Sequence, residues 1–174
     1  MLYELDGMRP KVDESVYLAP GTYLIGDITL EKDVSIWFNS VLRAENDSIT
    51  IKSGSNVQEG TTIHVDEGHP VRIGKNVTIG HNCIIHGCTI EDGALIGMGA
   101  IILNGAHIKK GAVVAAGAVV GENKVIEEGI LAAGVPAKPL KPINDSLKQR
   151  ILEGAKHYQR NGKRFRDAGI IAKE

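Results

Sequence analysis

A chain of 174 residues is long enough for one domain with a substantial core. Its 20 Lys+Arg against 21 Asp+Glu, a formal net charge of -1 with the signs mixed, leaves no basic face for nucleic acid or an anionic membrane. The two cysteines, Cys83 and Cys88, are too few and too close for a disulfide framework and fit no C-x-x-C pattern, so free thiols in a reducing compartment are expected. The first residues, Met1-Leu2-Tyr3-Glu4-Leu5-Asp6-Gly7, lack the basic-then-apolar order of a signal peptide, and no apolar run approaches a membrane span. A cytoplasmic location is expected. The 21 glycines and 4% aromatic content suit a chain that turns often over layers of small aliphatic side chains.

Residues 1 to about 14 read as an opening segment with little pattern. From Val16 a period of six appears. It is clearest at Ile73, Ile79 and Ile85, then Ile90, Ile96, Ile102, Ile108, Val114, Val120 and Ile126, with a single five-residue step from Ile85 to Ile90. Working backwards it continues through Ile63, Val57, Ile51, Leu42, Ile36, Leu30 and Ile25. Small or β-branched residues recur at the fifth place, at Val77, Cys83, Thr89, Ala100, Ala106, Ala112 and Ala118. A six-residue period is neither helical nor simple strand alternation. It is the mark of a hexapeptide solenoid, in which three hexads close one triangular coil and successive coils pair in parallel. The expected fold class is an all-β solenoid, a parallel β-helix over about 16–133, followed by a C-terminal α-helix.

Two steps are long. Leu42 to Ile51 carries three extra residues and Ile63 to Ile73 carries four, which predicts loops at Glu45–Ser48 and Asp66–Pro70. Insertions of this kind gather on functional faces. The solenoid is expected to end near Leu131, since the prolines of Gly134-Val135-Pro136-Ala137-Lys138-Pro139 interrupt a backbone ladder. Asn144-Asp145-Ser146 is a helix start signal. Ile143, Leu147, Ile151, Ala155 and Tyr158 then recur at helical spacing, which predicts an amphipathic helix over about 144–160 packed on the solenoid and a basic tail fraying beyond Gly162.

The register places side chains without further assumption. Leu42, Ile63 and Ile85 are three faces apart, so Arg43, His64 and His86, each one residue later, stack in one column. Backbones about 5 Å apart let two imidazoles converge on one ion at Zn–N distances of about 2.0–2.1 Å. Val57 and Ile79 are likewise three faces apart. Glu59 and His81 therefore form a second column, with Gln58 beside it, roughly 15 Å round the coil. His81 cannot easily reach the ion of its own chain, but it can reach the equivalent ion of a neighbour. A closed ring of three chains would set each second column against the next first column, which predicts a homotrimer with three intersubunit metal sites. Three imidazoles leave a coordination position open, as in catalytic zinc sites, where bound water has a pKa of about 7. Imidazole donors also suit Fe or Co. His69, His107 and His157 lack register partners and read as solvent-facing.

At Leu42-Arg43-Ala44-Glu45, Asn56-Val57-Gln58-Glu59-Gly60, Ile63-His64, Gly80-His81-Asn82-Cys83-Ile84-Ile85-His86-Gly87 and Ile96-Gly97-Met98-Gly99-Ala100 the sequence resembles the γ-class carbonic anhydrases. The resemblance implies a left-handed helix, a trimer with zinc, and reversible hydration of carbon dioxide, a carbonate dehydratase (lyase) reaction on a small-molecule substrate. It implies His64, His81 and His86 as metal ligands and Gln58 and Glu59 as the pair beside the reacting water. Arg43 resembles the residue that bridges subunits through a carboxylate, for which Glu45 is placed, and Tyr158 resembles a tyrosine of the terminal helix that reaches the site. The family commonly has Asp at the positions of Glu45 and Glu59, and one more methylene moves a carboxylate by about an ångström, a distance to which positioning is sensitive. Two other readings share the scaffold. The Gly134–Lys138 ending also occurs in hexapeptide acyltransferases, which use acyl-CoA and one histidine base, and a non-catalytic metal-binding homologue would keep the ligands without the chemistry.

Overall fold

The structure, a computed structural model, describes residues 1–172. It is a left-handed parallel β-helix of about seven turns with one C-terminal helix. Short strands stack into three faces. The first carries Tyr23–Leu30, Val41–Ile51, Thr62–His64, Ile84–His86, Ile101–Ile102 and Val119–Val120. The second carries Val71–Ile73, Thr89–Ile90, His107–Ile108 and Val125–Ile126. The third runs from Tyr17–Leu18 through Ser35–Ile36, Asn56–Val57, Thr78–Ile79, Leu95–Ile96 and Val113–Val114 to Ile130–Ala133. Tyr23–Leu30 and Val41–Ile51 are long enough to turn the corner between the first two faces and join them in one sheet.

The hexad residues form the core. Leu42, Ile63, Ile85 and Ile102 on the first face, Ile51 and Ile108 on the second and Val57, Ile79 and Ile96 on the third are all fully buried. Burying an aliphatic side chain this size stabilises by about 1.5–3 kcal/mol relative to leaving it in water. The backbone ladder then locks each coil to the next: Leu42 pairs with Ile63, Ile63 with Ile85 and Ile85 with Ile102. Asn or Gly with positive φ turns many of the corners, as at Asn82 (φ 57°) and Gly60 (φ 71°).

Four boundaries differ from the sequence expectation. The opening segment is already solenoid, because Leu2–Tyr3 and Lys11–Val12 pair in parallel with Tyr23–Leu30. Leu24, not Ile25, points into the core; Leu24 pairs with Leu42, and Ile25 pairs with Arg43. The five-residue step before Ile90 puts Cys88, not Thr89, in the buried fifth place. The Pro-containing segment does not leave the ladder: Lys138–Pro142 folds back antiparallel on Ile130–Ala133 and covers that end of the third face.

The two insertions are where the long steps put them. Glu45–Ser48 bulges between Ala44, opposite Gly26, and Ile49, opposite Ile28. Asp66–Pro70 closes as a tight turn with Asp66 bridging His69. The terminal helix α1 spans Asp145–Asp167, longer than expected. Asn144 caps it, accepting from the Leu147 N–H at 2.9 Å. α1 lies on the third face, where both phenylalanines, the single tryptophan and two of the four tyrosines gather: Tyr17, Trp37, Phe38, Tyr158 and Phe165. The tail is helical past Gly162, and only Lys173 and Glu174 lie outside the described residues.

Candidate metal centre

The ladder pairs His64 directly with Arg43 on one side and His86 on the other. The two imidazoles meet with His64 Nδ1 2.9 Å from His86 Nε2. On its other side His64 Nε2 lies 3.0 Å from Glu45 Oε1. Glu45 also pairs with Arg43 of the same chain, and its second oxygen is buried with no partner. The Glu45–Ser48 bulge thus folds a carboxylate back over the histidine column.

His64 stands between two acceptors. A neutral imidazole carries one N–H, so it can satisfy His86 Nε2 or Glu45 Oε1 but not both. Protonating the ring would supply the second donor, yet burial, then the Arg43 guanidinium and the His86 ring, hold the His64 pKa below the ordinary histidine value. One contact is therefore left lone pair to lone pair. A cation shared by these donors resolves the conflict, and the donor set of two imidazoles with carboxylates near them is one that zinc or iron accepts. Asp66 completes a cluster in which ligand atoms of His64, Asp66 and His86 lie within 4.8 Å of one another.

The second column also forms. Asn56–Val57 pairs with Thr78–Ile79, and beyond that corner His81 Nδ1 meets Glu59 Oε2 at 2.6 Å. Gln58 is buried, and its Nε2 donates to Asn56 Oδ1 at 3.2 Å, which leaves its carbonyl oxygen free to accept. His81 is not among the residues clustered with His64 and His86. Tyr158 packs edge-on against Trp37, with ring centres 5.4 Å apart. Burial and then the Glu59 charge raise its pKa, and the same two causes push Tyr17 up to about 12. Glu59, paired with His81, is thus within electrostatic reach of both tyrosines.

The register count missed Asp66 and Asn104 as participants. Asn104 Oδ1 is 2.6 Å from His86 Nδ1, and Asn104 Nδ2 donates to Asp66 Oδ2 at 2.7 Å. The place of Asn104, one coil on from His86, was available as a signal. His107 is not simply solvent-facing, since its Nε2 sits 2.6 Å from Glu91 Oε1. A cleft of about 540 Å³ lined by Lys52, Arg72, Glu91, Asp92 and Lys110 lies on the second face, and none of His64, His81 and His86 lines it.

The family described as the hexapeptide repeat of succinyl-transferase matches residues 70–104 and 88–122. Gamma carbonic anhydrase 2, mitochondrial, of Arabidopsis thaliana is 43% identical over 56 residues, a stretch covering 32% of this chain and only 20% of that protein. Protein YrdA of Escherichia coli (strain K12) is 34% identical over 167 residues, 92% of this chain and 91% of YrdA. The chain belongs to the family of hexapeptide-repeat proteins that includes YrdA. Among solved structures, a hexapeptide transferase family protein from Anaplasma phagocytophilum superposes with a TM-score of 0.92 at 34% identity, covering 95% of this chain and 98% of that one. Within the family, then, the names attached to similar chains divide between carbonic anhydrase and transferase.

Proposed function

We propose that this protein is a metal-dependent carbonic anhydrase, converting carbon dioxide and water to bicarbonate and a proton and back, at three-histidine sites shared between the chains of a homotrimer. The observation that carries the reading is the meeting of His64 and His86 with one proton too few for the contacts around them. A bound zinc ion, with iron or cobalt as the other metals imidazole favours, supplies Lewis acidity that makes water nucleophilic near neutral pH.

The chain's own groups do the rest. His64 and His86 hold the ion from one protomer and His81 holds it from the next. Glu59 accepts the His81 Nδ1–H, which leaves Nε2 as the free donor atom. The free carbonyl oxygen of Gln58 accepts a hydrogen bond from the reacting water, Glu59 helps to orient that water, and solvent or buffer takes its proton. Arg43 balances the Glu45 carboxylate at the rim. Exposed Ile84, next to the His64–His86 column, and exposed Met98 supply apolar surface for a neighbouring chain. A site built between chains also accounts for the distance between the two columns within one.

Acyl transfer from acyl-CoA is the second reading, favoured by the transferase description of the Anaplasma protein. The two separate on one preparation. Metal content per chain and carbon dioxide hydration, measured on protein purified without chelator or oxygen, should both be lost in His81→Ala and kept in His107→Ala. A chain that takes up no metal on reloading but binds acetyl-CoA would overturn the carbonic anhydrase reading.

A further inference from the structure

His86 is held from behind by a relay of two side chains. Asp66 Oδ2 is 4.0 Å from His86 Nδ1, too far for a direct hydrogen bond, and the Asn104 amide fills the gap between them. The direction of each bond follows by exclusion. An ionised carboxylate only accepts, so the amide turns its NH2 to Asp66 and its oxygen to His86. An amide oxygen only accepts, so His86 must donate from Nδ1. A neutral imidazole then has a bare lone pair at Nε2, and Nε2 is the atom that faces His64.

The backbone is shaped for this contact. A Cβ at Gly87 would lie 2.3 Å from Asn104 Oδ1 and 2.8 Å from the Cβ of His69, and Gly87 has a φ of +50°. Glycine after His86 is what lets the amide lie across the column. The Asp66–Pro70 insertion, which the hexad count marks only as a turn, brings the carboxylate that orients that amide.

We propose that Asn104 is a positioning residue of the metal centre, oriented by Asp66, that holds His86 as its Nδ1–H tautomer and so presents Nε2 to the metal. The proposal rests on the reading of His64 and His86 as metal ligands. Asp66 acts from outside, on the Nδ1 side of the ring, and is not itself a ligand.

The test uses the full chain in two states. In the metal-free protein, nitrogen-15 NMR of the histidine rings reads the tautomer directly. In the zinc-loaded protein, competition with a chromophoric chelator reads affinity. Wild type should show His86 protonated at Nδ1. Asn104→Ala should show mixed tautomers and bind zinc about 10–100-fold more weakly, the usual cost of losing such an outer partner. The exchange Asp66→Asn with Asn104→Asp keeps one donor and one acceptor in the relay and should restore both readouts. An Nε2–H tautomer in wild type, or unchanged zinc affinity in Asn104→Ala, overturns the proposal. Failure of the exchange to restore zinc overturns the outer role of Asp66 and makes it a ligand. A wild-type chain that binds no zinc overturns the proposal through the metal reading, and the metal-free tautomer tells that apart from failure of the relay.

Discussion

His64 is crowded by burial, by the Arg43 guanidinium and by the His86 ring, and each disfavours its charged form. The folded chain therefore binds a proton at His64 less readily than the unfolded chain does. Stability that depends on this group is present above the unfolded histidine pKa, about 6.5, and is lost as pH falls below it, because the unfolded state then binds more protons. The metal-free protein should lose urea resistance as pH falls from about 7.5 to about 5.5, and His64→Gln should show a shallower loss over that range. Equal slopes would mean that some other group carries the dependence. At this scale the sequence was informative about stacking and silent about direction. The count from Leu42 to Ile63 to Ile85 places Arg43, His64 and His86 in one column, because a solenoid ladder leaves no freedom of register. It cannot place Glu45 over His64, nor Asp66 and Asn104 behind His86, because those contacts come from bulges and corners whose paths no periodicity fixes.

Among the elements, α1 shows why one expectation fell short. The sequence predicts a helix over about 144–160 and a fraying tail beyond Gly162, yet the helix runs on to Asp167. Glycine is there for contact: a Cβ at 162 would meet the Cβ of Tyr17 at 3.2 Å and that of Ser35 at 3.3 Å. The helix axis thus presses on the third face at one turn, and the aromatic cluster of Trp37, Tyr158 and Phe165 packs around that point. Gly162→Leu should overfill the contact and lower stability by about 1–3 kcal/mol. Gly154→Ala lies where nothing comes within 4 Å, and it should raise stability by up to about 1 kcal/mol through helix propensity alone. Denaturant midpoints of the two variants check both signs, and a harmless Gly162→Leu would mean that α1 is not pressed against the solenoid. The misplacement of Ile25 has a comparable cause. Tyr23, Leu24 and Ile25 are all apolar, so alternation is lost just where the inward residue must be chosen, and only pairing with Leu42 settles it for Leu24.

For the whole molecule, the solenoid separates the two histidine columns, and no rearrangement short of unfolding would merge them. The coil holds His64 and His86 on the first face, while His81 sits at the corner leading into it, paired with Glu59. If each site takes its first column from one protomer and its second from the next, defects in different columns should complement. A His81→Ala chain keeps a sound first column and a His64→Ala chain keeps a sound second one. Neither forms a complete site alone. In a closed ring of three mixed chains, one interface in each mixed ring joins the two sound columns. Unfolding and refolding the two variants together in equal amounts should therefore recover about a quarter of wild-type zinc binding and hydration, the share expected from random assortment into rings. Mixing the folded variants without unfolding should recover nothing until the chains exchange, so the time course also reports how long the ring lives. About half of wild-type zinc binding in the mixture, present even before unfolding because His81→Ala then binds zinc on its own, would confine the site to a single chain. The His64–Asp66–His86 cluster would then be the whole of the metal's protein ligands, and His81 with Glu59 would belong to another task.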